Sequence, residues 1–261
     1  MQDLKITLIQ PDMLWQNPEE NRLMYERLMD QHATDTQLVL LPEMFTTGFT
    51  MDSRLAAEPM GGETCEWLQQ QAIQRGIAMT GSLAVAVGDS YVNRMIFTFP
   101  DGTQTYYDKR HLFRMAGEHE RYQPGDQRVV VEYAGWRILL QVCYDLRFPV
   151  FSRNNNDYDL ALYVANWPAP RRQPWRKLLQ ARAIENLCYV AGVNRVGRDA
   201  NGHDYSGDSM LVDFKGDLLI DREPGIPFCA TEKLSASALM DFNQKFPAWM
   251  DADSFLITEA E

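Results

Sequence analysis

The chain has 261 residues, 45% of them apolar, and a formal net charge of −11. The apolar fraction supplies a large core and excludes the disordered class. The acidity repels phosphate backbones, so no nucleic-acid partner is expected.

No apolar run reaches the roughly 20 residues of a membrane span, and no lipidation signal is visible, so no membrane association is expected. The start, Met1-Gln-Asp-Leu-Lys-Ile, lacks the basic and apolar regions of a signal peptide. The four cysteines, Cys65, Cys143, Cys188 and Cys229, are widely spaced with no C-x-x-C pair. Free thiols and a cytoplasmic location are the expectation.

In chain order, Leu4 to Ile9 reads as a buried strand. Glu19 to His32 has apolar residues near helical period, and Gln37 to Leu41 is a short apolar strand ended by Pro42. A loop with Gly61-Gly62 precedes a helix over Glu63 to Arg75, with Gly76 as its C′ residue. Ile77 to Val87 and Tyr91 to Phe99 are paired strands, and Asp101-Gly102 turns the chain into Thr103 to Tyr107. Asp108 to Gln127 is polar and long for a structureless loop, which marks it as functional. Val129 to Tyr133 and Trp136 to Val142 pair around Gly135, and Leu160 to Val164 is a further buried strand. Arg171 to Leu187 is a helix whose apolar stripe includes Trp175, Leu179 and Ala183. Cys188 to Val193 and Ser209 to Phe214 are strands, and Lys215-Gly216-Asp217 turns into Leu218 to Asp221. Phe246, Trp249 and Phe255 make the last segment aromatic. There is no linker or repeat, so one α/β domain over 1–261 is expected, with a mixed sheet or two stacked sheets under outer helices.

Three predicted strands end in reactive groups. Glu43 follows the strand at Gln37, Lys109 follows Tyr107, and Cys143 follows Val142. Loops at strand ends are where rigid scaffolds mount catalytic groups. A thiol at its ordinary pKa is mostly protonated at neutral pH, so a base is needed; Glu43 supplies one, and Lys109 favours the thiolate. Lys109 and the backbone N–H of Tyr144 would then stabilise the oxyanion formed on attack at an amide carbonyl. The cycle needs no metal and no organic cofactor. Each residue has a plainer reading alone: a capping glutamate, a solvated lysine, a buried small thiol. Cys65, Cys188 and Cys229 take that plainer reading. Cys143 is expected to alkylate far faster than the other three.

The segments LPEMF, DKRHLF and CYDLRFP together resemble the nitrilase superfamily of carbon–nitrogen hydrolases, as do ANW at Ala165 to Trp167 and LLQARAIEN at Leu178 to Asn186. The resemblance implies a four-layer αββα sandwich, with two mixed β-sheets covered by helices, that dimerises through helical surfaces. It carries Glu43, Lys109 and Cys143 over as a catalytic triad. A fourth residue, a glutamate before the turn Pro124-Gly125-Asp126, falls on Glu118, with Glu120 as its rival. Within the superfamily, HLFRMAGEHERY, CYDLRFP and ANWPAPR are similar to the omega-amidases, which hydrolyse the terminal amide of 2-oxo acids such as 2-oxoglutaramate and 2-oxosuccinamate. Such a small-molecule substrate carries a carboxylate, so a second cation is expected. Arg147 is the first candidate, either binding substrate or pairing with Asp145 to brace the nucleophile; Arg114 and Arg171 follow. Trp167 would form an apolar wall, Asn166 would contact the leaving amide through its backbone, and Phe45 and Met115 would line the same space.

The alternatives are another amidase, N-carbamoyl amidase or nitrilase with the same triad, a Cys–His hydrolase using His111, and a metal site from His111, Glu118, His119 and Glu120. A fold retained for binding without chemistry is the non-enzymatic reading.

Overall fold

The computed structural model describes residues 1–257. The first half runs β1 (Leu4–Gln10), α1 (Pro18–His32), β2 (Leu38–Leu40), α2 (Ser53–Ala56), β3 (Glu58–Pro59), α3 (Glu63–Arg75), β4 (Ala78–Val87), β5 (Ser90–Thr98) and β6 (Gln104–Asp108). The second runs β7 (Val130–Tyr133), β8 (Trp136–Val142), α4 (Pro149–Ser152), β9 (Leu160–Val164), α5 (Arg172–Asn186), β10 (Tyr189–Val193), β11 (Val196–Arg198), β12 (Asp204–Ser206), β13 (Met210–Val212), β14 (Leu218–Ile220), β15 (Phe228–Leu234) and α6 (Ala236–Lys245).

Local chemistry sets most boundaries. Pro18 opens α1 with the Asn17 side chain accepting from Glu20 N, and Gly76 closes α3 in the left-handed region at φ 65. One sheet has the order β15-β1-β2-β4-β5-β6, with β3 on β4; the other has β14-β13-β10-β9-β8-β7. Central strands β1, β2 and β4 are parallel, as are β8, β9 and β10, and they are short apolar runs buried on both faces. The sheets meet across one core in which Ile6, Leu8, Leu40 and Phe97 face Ile138, Leu140, Leu162 and Ala191. Burying each such side chain contributes roughly 1.5–3 kcal/mol. Tyr25 and Met29 of α1 and Leu68 and Ala72 of α3 cover the outer face of the first sheet. Trp175 and Leu179 of α5 lie so close on β10 that a Cβ at Gly192 would stand 2.4 Å from Leu179. The result is the four-layer αββα sandwich that the resemblance implies.

Three segments differ from the sequence expectation. The polar stretch after β6 is not structureless; it folds into 3₁₀ turns at Arg114–Ala116 and Glu118–Glu120. Residues 222–245, to which the sequence reading assigns nothing, supply β15 and α6. β15 pairs antiparallel with β1 over seven residues, and so completes the first sheet. β11 and β12 form a separate two-stranded hairpin.

Candidate active site

The strand directions bring one edge of both sheets together. β2, β6, β8 and β9 all end at this edge, and β5, antiparallel to β4 and β6, starts there. Glu43 therefore follows β2, Lys109 follows β6, Cys143 follows β8 and Asn166 lies two residues beyond β9. Glu118 arrives on the second 3₁₀ turn, and the loop's base is pinned where Gly125 N donates to Lys109 O at 3.0 Å. A Cβ at Gly125 would stand 2.2 Å from the Asp108 carbonyl, so the turn needs glycine for close approach.

Lys109, Glu43 and Glu118 are all fully buried. Lys109 Nζ donates to Glu43 Oε1 at 2.8 Å and to both Glu118 oxygens at 3.0 Å. Glu118 also accepts from Phe113 N, and Glu43 Oε2 accepts from Asn166 N at 2.8 Å. Glu120 lies exposed on the same turn, so Glu118 is the glutamate in the cluster. Burial alone would depress the Lys109 pKa, but Glu118 and Glu43 outweigh it and hold the ammonium charged. Burial raises the Glu118 carboxyl against the pull of Lys109.

Cys143 sits at φ +46, in the left-handed region that non-glycine residues rarely occupy, at the junction of β8 and a 3₁₀ turn over Cys143–Arg147. Such a conformation costs on the order of 1–3 kcal/mol and persists only where neighbours enforce it. Asp145 does the enforcing. It accepts from Val142 N at 2.9 Å, Tyr107 Oη at 2.8 Å and His111 N at 3.0 Å, and pairs with His111 Nδ1 at 2.7 Å. The Cys143 pKa is pushed well above its ordinary value, chiefly by burial and then by Glu43 and Glu118, against Lys109. Lys109 pulls toward the thiolate, as expected, but its charge is shared with two carboxylates.

Cys143 opens onto a cavity of about 700 Å³. Arg147 and Arg171 both line it, stacked 5.1 Å from the ring centroids of Trp167 and Phe113 respectively. Among the described residues neither guanidinium is within ion-pair distance of a carboxylate. The alternative in which Arg147 pairs with Asp145 is not found, because Asp145 is filled by Tyr107, His111 and Val142. Tyr144, Asn166, Trp167 and Met115 also line the cavity. Two assignments change. Phe45 lies in the core against Tyr25 and Trp67 rather than in the cavity, whose aromatic wall is Phe49 instead. The Asn166 backbone N–H is engaged by Glu43, and its side-chain amide donates to the Glu43 carbonyl, so it holds the glutamate. Arg114 is exposed and away from the lining. His111 stacks on Phe148 and serves Asp145. The four residues weighed as metal ligands do not converge, and among the described residues no three His, Cys, Asp or Glu group as a metal site.

Sequence reasoning missed Asn93. Its amide donates to Glu43 Oε1 at 2.8 Å and to Glu118 Oε1 at 3.3 Å. The available signal was a lone amide inside the strand run YVNRMIFTF.

An αββα sandwich with a buried glutamate, lysine and cysteine at the shared edge of its sheets defines the class of carbon–nitrogen hydrolases. The chain belongs to that family: the carbon-nitrogen hydrolase family model matches residues 5–225. It is thus a hydrolase acting on carbon–nitrogen bonds. It is 49% identical over 257 residues to the omega-amidase YafV of Yersinia enterocolitica, covering 98% of this chain and 100% of that one. It is 32% identical to the 2-oxoglutaramate amidase of Bacillus subtilis, covering 85% and 88%. Among solved structures, XC1258 from Xanthomonas campestris, a CN-hydrolase superfamily protein with an arsenic adduct in its active site, superposes with a TM-score of 0.96 at 46% identity, covering 99% of this chain and all of that one.

Proposed function

We propose that this chain is an omega-amidase that hydrolyses the terminal amide of a 2-oxo acid amide such as 2-oxoglutaramate or 2-oxosuccinamate, releasing the oxo dicarboxylic acid and ammonia. The observation that carries it is the pair of guanidiniums, Arg147 and Arg171, that line the Cys143 cavity without a carboxylate partner among the described residues. A substrate carboxylate supplies the missing anion, and Arg147 offers it a planar fork. The omega-amidase and 2-oxoglutaramate amidase names of two relatives support the same reading.

In this mechanism Cys143 Sγ attacks the amide carbon as its proton passes to Glu43. The oxyanion is met by Lys109 and the Tyr144 backbone N–H; losing one such donor costs roughly 2.7–4 kcal/mol in the barrier. Glu43 returns the proton to the leaving nitrogen, ammonia departs, and a thioester remains. Glu43 then takes a proton from water, the hydroxide adds to the thioester, and the tetrahedral intermediate expels the Cys143 thiolate, which takes that proton back from Glu43. Glu118 holds Lys109 rather than exchanging protons, because all its near donors are internal. Trp167 walls the substrate and carries Arg147. The reading includes a cytoplasmic homodimer. Free thiols at all four cysteines are in keeping with a reducing compartment, and light scattering tests the dimer.

Ammonia release from 2-oxoglutaramate, measured beside glutamine, a simple aliphatic amide and a nitrile with Cys143→Ala as control, tests the reading. Preference for the oxo-acid amide, lost in the variant, is expected. Preference for a neutral amide or the nitrile would move the protein to another branch of the family.

A further inference from the structure

Asn93 touches Glu43, Glu118 and Lys109 alike. Its side-chain nitrogen donates to Glu43 at 2.8 Å and to Glu118 at 3.3 Å, and its main-chain carbonyl accepts from Lys109 N at 2.9 Å. It is fully buried, yet it does not line the cavity. A buried amide kept for packing alone satisfies both of its ends. Here the carbonyl end, Oδ1, has no partner among the described residues, while the donor end is divided between two carboxylates. Leaving such a group unpaired costs about 1–3 kcal/mol, so the orientation is held by the demand of the glutamates and not by the amide's own.

We propose that Asn93 is a positioning residue for the acyl-transfer cycle: it bridges Glu43 and Glu118 across Lys109 and so fixes the one Glu43 rotamer that can take the Cys143 proton. The inference rests on the proposed role of Glu43 as base. Lys109 Nζ could swing both carboxylates about itself, since an ammonium is a point charge without a planar fork. The trigonal amide of Asn93 removes that freedom. Asn166 N completes the clamp on the other Glu43 oxygen. The groups facing the Glu43 carboxylate are Lys109, Glu118 and Cys143, with Tyr122 and Tyr205 further off. A hydrogen bond donated to an ionised carboxylate favours that form, so its loss makes the carboxylate a stronger base.

The test compares Asn93→Leu, which keeps the branched heavy-atom shape and removes the donor, with Asn93→Ser, which restores a short one. kcat should fall on the order of 10-fold or more in Asn93→Leu with KM within about twofold, and recover in part in Asn93→Ser. The acid limb of kcat/KM should move to higher pH by roughly half a unit to one unit. The acid limb of Cys143 alkylation by iodoacetamide, read without substrate, should move with it. If Asn93→Leu does not fold, Asn93→Ser carries the same readouts against wild type. Unchanged kcat, or a lower kcat with both acid limbs unmoved, would overturn the proposal and leave Asn93 a packing residue. If wild type ignores 2-oxo acid amides but the alkylation limb shifts, the substrate reading falls and the role of Asn93 stands.

Discussion

Cys143 lies beside Glu43 and Glu118, which share the one ammonium of Lys109. In the proposed mechanism its nucleophilicity depends on proton transfer to Glu43. Glu43→Gln should slow iodoacetamide labelling of Cys143 at pH 7 by about 10²-fold, the usual weight of a general base, and leave Cys229 unaffected. Cys229 is the internal control: half-buried on β15, its pKa is pushed to about 11 by burial alone. Equal labelling of Cys143 in wild type and variant, followed by mass spectrometry of the alkylated peptides, would refute the assignment of the base. Lys109 also balances charge in the core. Lys109→Met would leave two buried carboxylates facing each other, which costs about 3–5 kcal/mol for an uncompensated buried charge. A urea titration should show that loss in Lys109→Met, whereas Cys143→Ala, which removes only the sulfur, should lose turnover while unfolding near the wild-type midpoint.

Elements take their places through buried polar ties as well as apolar faces, and α5 shows how. Asp208, 2% exposed, accepts from Arg172 and Arg176 on the first turns of α5, while its carbonyl accepts from Trp175 Nε1 at 2.8 Å. Burial would raise the Asp208 carboxyl, but hydrogen bonds from Arg172 and Ser206 and the two guanidinium charges hold it below its ordinary value. A carboxyl whose folded pKa is depressed contributes stability above its unfolded pKa, about 3.9, and loses it as pH falls through the lower folded value. Asp208→Asn should cost about 1.5–3 kcal/mol at pH 7. The gap to wild type should close below pH 4, and urea midpoints at pH 7 and pH 3 check both halves of that statement. The sequence made α5 legible through its apolar stripe but hid this tie, since nothing in a lone Asp208 names its partners 32 and 36 residues earlier. The same limit explains β15. FCATEKL carries Glu232 and Lys233, as suits an edge strand, so apolar periodicity passes over it, and only its register against β1 reveals it. The candidate triad was legible for the opposite reason: each member stands just past the end of a predicted strand. Asn93 was not, because it sits within one. Removing residues from Ile226 onward should therefore bare the β1 edge and yield insoluble chain; a soluble, active truncation would show β15 to be dispensable.

At the scale of the whole molecule, the site is a statement about how two sheets are registered. Glu43, Asn93 and Lys109 ride on the first sheet, and Cys143 and Asn166 on the second. The contacts between Glu43 and Asn166 cross between them. The core that sets this register is shared, so neither sheet keeps its inner face covered without the other. A protein of this length often unfolds through intermediates. The shared core argues for the opposite here: losing one sheet would expose Ile138, Leu140 and Leu162 together with Ile6, Leu8 and Leu40. In a urea titration, turnover, tryptophan fluorescence and far-UV circular dichroism should lose their native signals at one midpoint. A turnover midpoint well below the dichroism midpoint would mean that the sheets slide or part before they melt. In that case the edge-on catalytic cluster, and not the core, would be the weakest joint in the fold. Leu140→Ala tests the same coupling from inside. It should cost about 2–5 kcal/mol and lower all three midpoints together, because the cavity it leaves belongs to both sheets at once.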